Sequence, residues 1–146
     1  MTDPTTAAGS PSFEAGSLEQ ASAFVAAIGL TLDEVTATSV TGHISLGDGH
    51  HTPWGIVHGG VYTSAIESAA TIGASTAVRG QGMVAVGLTN TTHFLRSVTS
   101  GLVRVEAAAL NQGRTQQLWQ VSVSDGSGKL VAHGEVRLQN LTPGGA

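Results

Sequence analysis

The sequence predicts an α+β domain: a curved antiparallel sheet wrapped around one long central helix. Two observations predict it. Residues 60–78 place apolar and small side chains at helical spacing, and the segments on either side alternate at the strand period. Such a sheet has one face to cover, and this helix is the only element large enough to cover it.

The elements follow in order. Residues 1–16, rich in Thr, Ala, Gly, Ser and Pro, read as a flexible arm without the basic and apolar regions of a secretory signal. Ser17 is placed to cap a helix over 18–28, with Glu19 and Gln20 in its first turn. Phe24, Ala27 and Ile28 share one face, and Gly29 ends the helix. Residues 30–46 read as two strands carrying Val35, Ala37, Val40, Ile44 and Leu46, with Gly42 the candidate bulge. Residues 47–53 are a loop by composition. The central helix carries Tyr62, Ala65, Ile66, Ala69, Gly73 and Ala77 on one stripe, and Arg79-Gly80-Gln81-Gly82 stops it. At ~1.5 Å per residue it runs about 28 Å.

Four strands in a meander complete the fold. Val84, Val86 and Leu88 share a face in the first, and Val103, Val105 and Ala107 face away from Arg104 and Glu106 in the second. The third turns Gln117, Trp119, Val121 and Val123 one way. The fourth opposes Leu130, Ala132, Val136 and Leu138 to His133, Glu135, Arg137 and Gln139. Asn111-Gln112-Gly113 and Asp125-Gly126-Ser127-Gly128 are the hairpin turns. Residues 17–141 thus form a single domain, and 142–146 a disordered tail.

Only 11% of the 146 residues are charged, against a typical ~25%. That is too few for the surface of a monomer this size, and it points to self-association. The net charge of −4 and single lysine exclude a basic nucleic-acid footprint. Without cysteine there is no disulfide, thiol nucleophile or thiolate zinc site. No apolar run reaches the ~18 residues of a membrane span. A cytoplasmic protein with no metal and no cofactor is expected.

Between Asp48 and Arg79 the one formal charge is Glu67. Its helix face also carries Thr63, Thr71, Ala74 and Ser75, small and weakly polar where a solvated face would carry Lys and Glu. A partner subunit covering this face, with Glu67 in the seam, explains the composition; a Glu that simply reaches solvent is the competing reading. A lone carboxylate in such a seam is costly unless paired or used. The segment His50-His51-Thr52-Pro53-Trp54-Gly55-Ile56-Val57-His58-Gly59-Gly60 leads into the helix. Gly59 and Gly60 leave N–H groups uncovered at its positive end, which suits an anion or a developing oxyanion, although a tight turn would need the same glycines. Glu67 lies ~12 Å further along the axis. The two therefore serve one atom only if a two-fold dimer sets one subunit's helix start against its partner's Glu67. His50, His51, His58 and Asp48 lack the usual ligand spacing of a zinc site.

The segment WGIVHGGVYTSAIESAA at 54–70, MVAVGLTNTTHFLRSVTSG at 83–101 and GRTQQLWQVSVSDGSGKLVAHGEVRLQNL at 113–141 resemble the hotdog-fold acyl-CoA thioesterases of the PaaI type. The likeness is greatest to the Arthrobacter-type branch acting on 4-hydroxybenzoyl-CoA. The resemblance covers about residues 30–140, and HGG with an acidic residue nine positions after the His is its specific mark. It implies that Glu67 is the nucleophile or the general base on water, and that the Gly59 N–H polarises the thioester carbonyl. His58 would shape the loop and Thr71 orient the attacking water. Thr52, Trp54, Gly60, Asn90, Arg96, Arg114 and Thr115 would contact substrate, with Arg137 a further phosphate candidate. Coenzyme A enters only as part of the substrate, and a homodimer, assembling to a homotetramer, is the implied unit. Thr52 stands where the family often has Asn or Gln; His50 or His51 would be the stand-in. That departure keeps a non-catalytic acyl-CoA or lipid binder open as an alternative. A hotdog dehydratase fits less well, since the loop lacks the Pro-rich surround of its His.

Overall fold

The computed structural model describes residues 22–144. The arm at 1–16 and the expected cap Ser17 with Glu19 and Gln20 lie outside them. Helix α1 spans Ala23–Ile28, and Ser22 caps it, its hydroxyl accepting from the Val25 N–H at 3.3 Å. Val25 and Ile28 are its buried residues, whereas Phe24 is 65% exposed and Ala27 is exposed, a correction to the expected face. Gly29 closes the helix in the left-handed conformation, φ 75°.

Strands β1 (Thr31–Val35) and β2 (Ser39–Leu46) pair antiparallel. The bulge sits not at Gly42 but at Asp33, between the pairs Leu32–Gly42 and Glu34–Thr41. Gly42 serves close approach instead: a Cβ there would strike the Thr31 carbonyl oxygen. The 47–53 loop holds one 3₁₀ turn, Asp48–His50. Helix α2 spans Gly59–Val78, its twenty residues reaching about 30 Å, and a 3₁₀ turn over Arg79–Gln81 ends it at Gly82.

Strands β3 (Val84–Phe94), β4 (Gly101–Gln112), β5 (Gln116–Ser124) and β6 (Leu130–Leu141) follow. The six strands form one antiparallel sheet in the order β1-β2-β4-β5-β6-β3. Only β4, β5 and β6 are a meander; β3 docks on β6 at the far edge, because non-local pairing is not dictated by chain order. Bulges reset the side-chain parity in both edge partners. At Leu88 the bulge leaves Ala85 and Gly87 before it, and Asn90 and Thr92 after it, turned toward α2, opposite to the expected Val84, Val86 and Leu88. At Val131 a second bulge buries Val131 with Ala132 and exposes Leu130. The β4–β5 turn lies at 113–115, two residues beyond the expected 111–113, closed by the Gly113 N–H to Gln116 O at 2.8 Å.

The sheet's concave face packs on α2 through Val103, Val105, Trp119, Val121, Val123, Val136 and Leu138. Trp119 is fully buried and seats its ring against Gly73, where a Cβ would collide with it. That contact lets helix and sheet approach closely and centres the core.

Candidate active site

The entry to α2 is pinned from several sides. Val57 donates to Val98 O at 2.9 Å, and the His58 N–H donates to His50 O at 2.8 Å. Gly55 closes the Thr52–Gly55 turn at φ 78°, its N–H on Thr52 O at 3.0 Å. His58 is the N-cap: its Nδ1 accepts from the Gly60 N–H at 2.8 Å. A neutral ring accepting there carries its proton on Nε2, so His58 offers a donor. Of the two N–H groups expected to be open, Gly60's is therefore occupied. The Gly59 N–H has no acceptor among the described residues and stands at the positive helix end.

A cleft of about 540 Å³ opens at this point. It is lined by Thr52, Ile56, Val57, His58, Gly59, Gly60, Tyr62, Phe94, Leu95, Arg96 and Ser97. Five of the expected site residues, Thr52, His58, Gly59, Gly60 and Arg96, thus meet. Thr52 spends one lone pair locally, accepting from the Trp54 N–H at 3.3 Å. Trp54 itself projects at 84% exposure. Arg96 Nη1 is held by Asp125 Oδ2 at 3.1 Å. Asp125 sits below the usual carboxylate range because the Ser127 hydroxyl and the Lys129 N–H donate to it. The proposed stand-ins for Thr52 are committed elsewhere. His50 accepts from the Gly47 N–H and reaches Ile28 O at 2.8 Å, and His51 reaches Thr99 O at 2.6 Å. Among the described residues no three His, Asp or Glu side chains gather as a metal site.

Glu67, Thr71 and Asn90 are not in this cleft. Strand β3 runs antiparallel beside α2, which sets Phe94 over Gly59, Asn90 beside Thr63, Gly87 beside Glu67 and Ala85 beside Ser75. Asn90 Nδ2 donates to Thr63 O at 3.1 Å, and Thr92 donates to Asn90 Oδ1 at 2.7 Å. A Cβ on Gly87 would stand 2.9 Å from Glu67 Oε1, so a side chain there would push the carboxylate from this position. Glu67 is exposed in the protomer, with Thr71 one turn on and half-buried. The row lies against the sheet's open edge.

Arg114 and Thr115 occupy the exposed β4–β5 turn at the opposite end of α2. A buried network that the sequence pattern did not reveal holds that turn. Gln117 donates to Ala74 O at 3.0 Å and to Asn140 Oδ1 at 2.8 Å, and accepts from Trp119 Nε1 at 3.0 Å. Asn140 Nδ2 donates to the carbonyls of Gly113 and Arg114 at 3.2 and 3.1 Å. A glutamine alternating inward among apolar residues was the available signal. Arg137 lies near Gln116 Oε1 at 3.4 Å, on the outer face.

Comparison with known proteins adds the family. Residues 55–132 match the model of the Thioesterase superfamily. "Putative esterase Rv1847" of Mycobacterium tuberculosis is 48% identical over 89 residues, 60% of this chain; the match spans 64% of that relative's length. Its solved structure superposes with a TM-score of 0.80 at 38% identity, covering 82% of this chain and 97% of that one. The 1,4-dihydroxy-2-naphthoyl-CoA hydrolase of Listeria monocytogenes is 31% identical over 71% of this chain and 84% of its own. A thioesterase structure from Haemophilus influenzae matches at TM-score 0.80 and 26% identity, over 90% of this chain and 92% of that one. The fold agrees with the hotdog expectation, and the chain belongs to the thioesterase superfamily.

Proposed function

We propose that the protein hydrolyses acyl-CoA thioesters, with Glu67 of one protomer and the Gly59 N–H of its partner acting on the same carbonyl. The observation that carries this reading is an N–H at the positive end of α2 with no acceptor among the described residues, in a cleft, on a scaffold where the single carboxylate of α2 lies beside an open strand edge. The two sheet edges differ. Each edge strand carries one bulge, at Asp33 and at Leu88, but β1 has five residues, whereas β3 has eleven and exposes Val86 and Leu88. A long apolar edge invites pairing, whereas a short one discourages it. Antiparallel β3–β3 pairing centred near residues 90 and 91 would set Phe94, with its Gly59, opposite the partner's Gly87, with its Glu67. The same two-fold carries the partner's Arg114 turn toward Arg96, so that CoA phosphates would meet both. This arrangement needs the homodimer that the scarce charge first suggested; two dimers forming a homotetramer in the cytoplasm complete the proposal.

In the reaction the thioester oxygen takes the Gly59 N–H as its charge develops. Glu67 either accepts a proton from water, whose oxygen attacks the carbonyl carbon, or attacks that carbon itself. Thr71, one turn on, would orient the water. The C–S bond then breaks and the thiolate of CoA leaves: after attack by water it takes up the proton held by Glu67, and after attack by Glu67 it takes one from solvent while water hydrolyses the acyl–Glu67 anhydride, releasing the acid and restoring the carboxylate. Apolar walls from Ile56, Val57, Phe94 and Leu95 suit an aromatic or medium-chain acyl group. The named substrate of the Listeria relative, an aromatic acyl-CoA, agrees with that, as does the resemblance to the Arthrobacter-type branch.

The test is thiol release from a panel of acyl-CoAs. Glu67→Ala should lower kcat by about 10²–10⁴-fold with the fold retained; unchanged turnover would remove Glu67 from the chemistry. Thr52, whose hydroxyl is turned to the Trp54 N–H rather than left open, favours a second reading as a binder only. Acyl-CoA binding without turnover across the panel would support that one.

A further inference from the structure

Asn140 gathers the successive carbonyls of Gly113, Arg114 and Thr115 onto one residue. Its Nδ2 donates to the first two, and its backbone N–H donates to Thr115 O at 2.8 Å. The polarity of this clamp is fixed from the core. The Trp119 indole N–H can only donate, so the Gln117 oxygen must face it, and the Gln117 amide then donates to Asn140 Oδ1. That leaves Asn140 Nδ2 to the turn. Gln117 also donates to Ala74 O, which ties the assembly to α2. Both amide side chains are buried.

The same clamp decides what the turn shows to solvent. Its peptides are trans, so the C=O and N–H of one unit point in opposite directions. Drawing the carbonyls of Gly113 and Arg114 inward turns the N–H groups of Arg114 and Thr115 outward. Neither N–H has an acceptor among the described residues, and both residues are exposed. The Arg114 guanidinium likewise has no partner among the described residues, whereas Arg96 and Arg104 are held by Asp125 and Glu106. Outward N–H groups beside an unpaired guanidinium suit a phosphate. We propose that Asn140 is a positioning residue for the nucleotide end of the substrate: by holding these carbonyls inward it keeps the donors of Arg114 and Thr115 aimed at a CoA phosphate. It acts through the turn rather than on the thioester. The proposal rests on the thioesterase reading, which sets CoA at this turn, and adds to it the buried group that keeps the turn competent.

The experiment measures thiol release from one acyl group carried on CoA, on dephospho-CoA and on pantetheine, by wild type, Asn140→Leu and Asn140→Ala. Leucine keeps the bulk of the side chain without its donors, and alanine removes it. In both variants KM for acyl-CoA should rise about tenfold or more with kcat held, while KM for acyl-pantetheine moves less than about twofold. A loss with dephospho-CoA as large as with CoA assigns the contact to the pyrophosphate, and a smaller one to the ribose phosphate; either supports the proposal. Partial unfolding lowers all three rates together, so the ratio of kcat/KM for acyl-CoA to that for acyl-pantetheine separates positioning from stability. A ratio equal to that of the wild type would overturn the proposal. In the wild type itself, CoA should shift the amide resonances of Arg114 and Thr115 and pantetheine should not; unshifted amides would overturn it without recourse to a variant. If the wild type cleaves no thioester, the thioesterase reading fails, and the Kd of CoA against that of pantetheine, in wild type and variant, still decides the part played by Asn140.

Discussion

Gly59→Pro separates the proposed oxyanion donor from the fold that presents it. Gly59 is the first residue of α2, the helical position at which proline is best tolerated. Its N–H has no acceptor among the described residues, so proline removes no internal hydrogen bond. Proline also restricts the residue before it to extended backbone, and His58 is already there at φ −66° and ψ 131°. The steric cost lies at Phe94. A Cβ on residue 59 would stand 2.9 Å from Cε1 and Cζ of that ring, so the ring must retreat by about half an ångström, and at 57% exposure it has room. Stability should therefore change by no more than about 1 kcal/mol. Turnover should fall far more, because one lost oxyanion donor costs about 10²–10³ in kcat. Gly59→Ala is the matched control: it meets Phe94 in the same way but keeps the N–H. The assay is kcat for thiol release by both variants, with urea unfolding alongside. Equal kcat for Gly59→Pro and Gly59→Ala would refute the assignment of the N–H.

Three further outcomes rest on particular contacts. Gly87→Ala places a Cβ 2.9 Å from Glu67 Oε1, the mobile end of an exposed side chain; kcat should fall about 10–100-fold through the displaced carboxylate while the urea midpoint is held or raised. Gly73→Ala drives its methyl into the buried ring of Trp119, which Gln117 fixes through Nε1; despite better helix propensity it should lose about 1–3 kcal/mol in urea unfolding. Asp125 titrates below its unfolded value, so its contribution is present above about pH 4 and is lost as pH falls through the lower folded value. Asp125→Asn should therefore be less stable than wild type at neutral pH, with the gap closing in acid.

The central helix and the strands were legible because burial imposes periods of 3.6 and 2 on the side chains. The separation of Gly59 from Glu67 was legible for the same reason, since helix rise fixes it. The bulges at Asp33, Leu88 and Val131 were not: each is one extra residue in a run that still alternates on either side, and each inverts the facing of the residues beyond it. The β3–β6 pairing was hidden because it joins residues far apart in sequence without a turn signal. At the site, the cap formed by His58 decides which glycine N–H stays open, a choice that depends on a side-chain rotamer. The Gln117–Asn140 clamp joins residues on adjacent strands whose registry the sequence does not print.

The shared site is tested most directly by complementation. Glu67→Ala and Gly59→Pro chains, each inactive alone, are produced together and assayed for thiol release. If one protomer supplies the carboxylate and its partner the N–H, a mixed dimer regains one intact site. Equal mixing should then restore about a quarter of the wild-type activity. Activity no greater than the sum of the two variants would contradict a site built across two protomers.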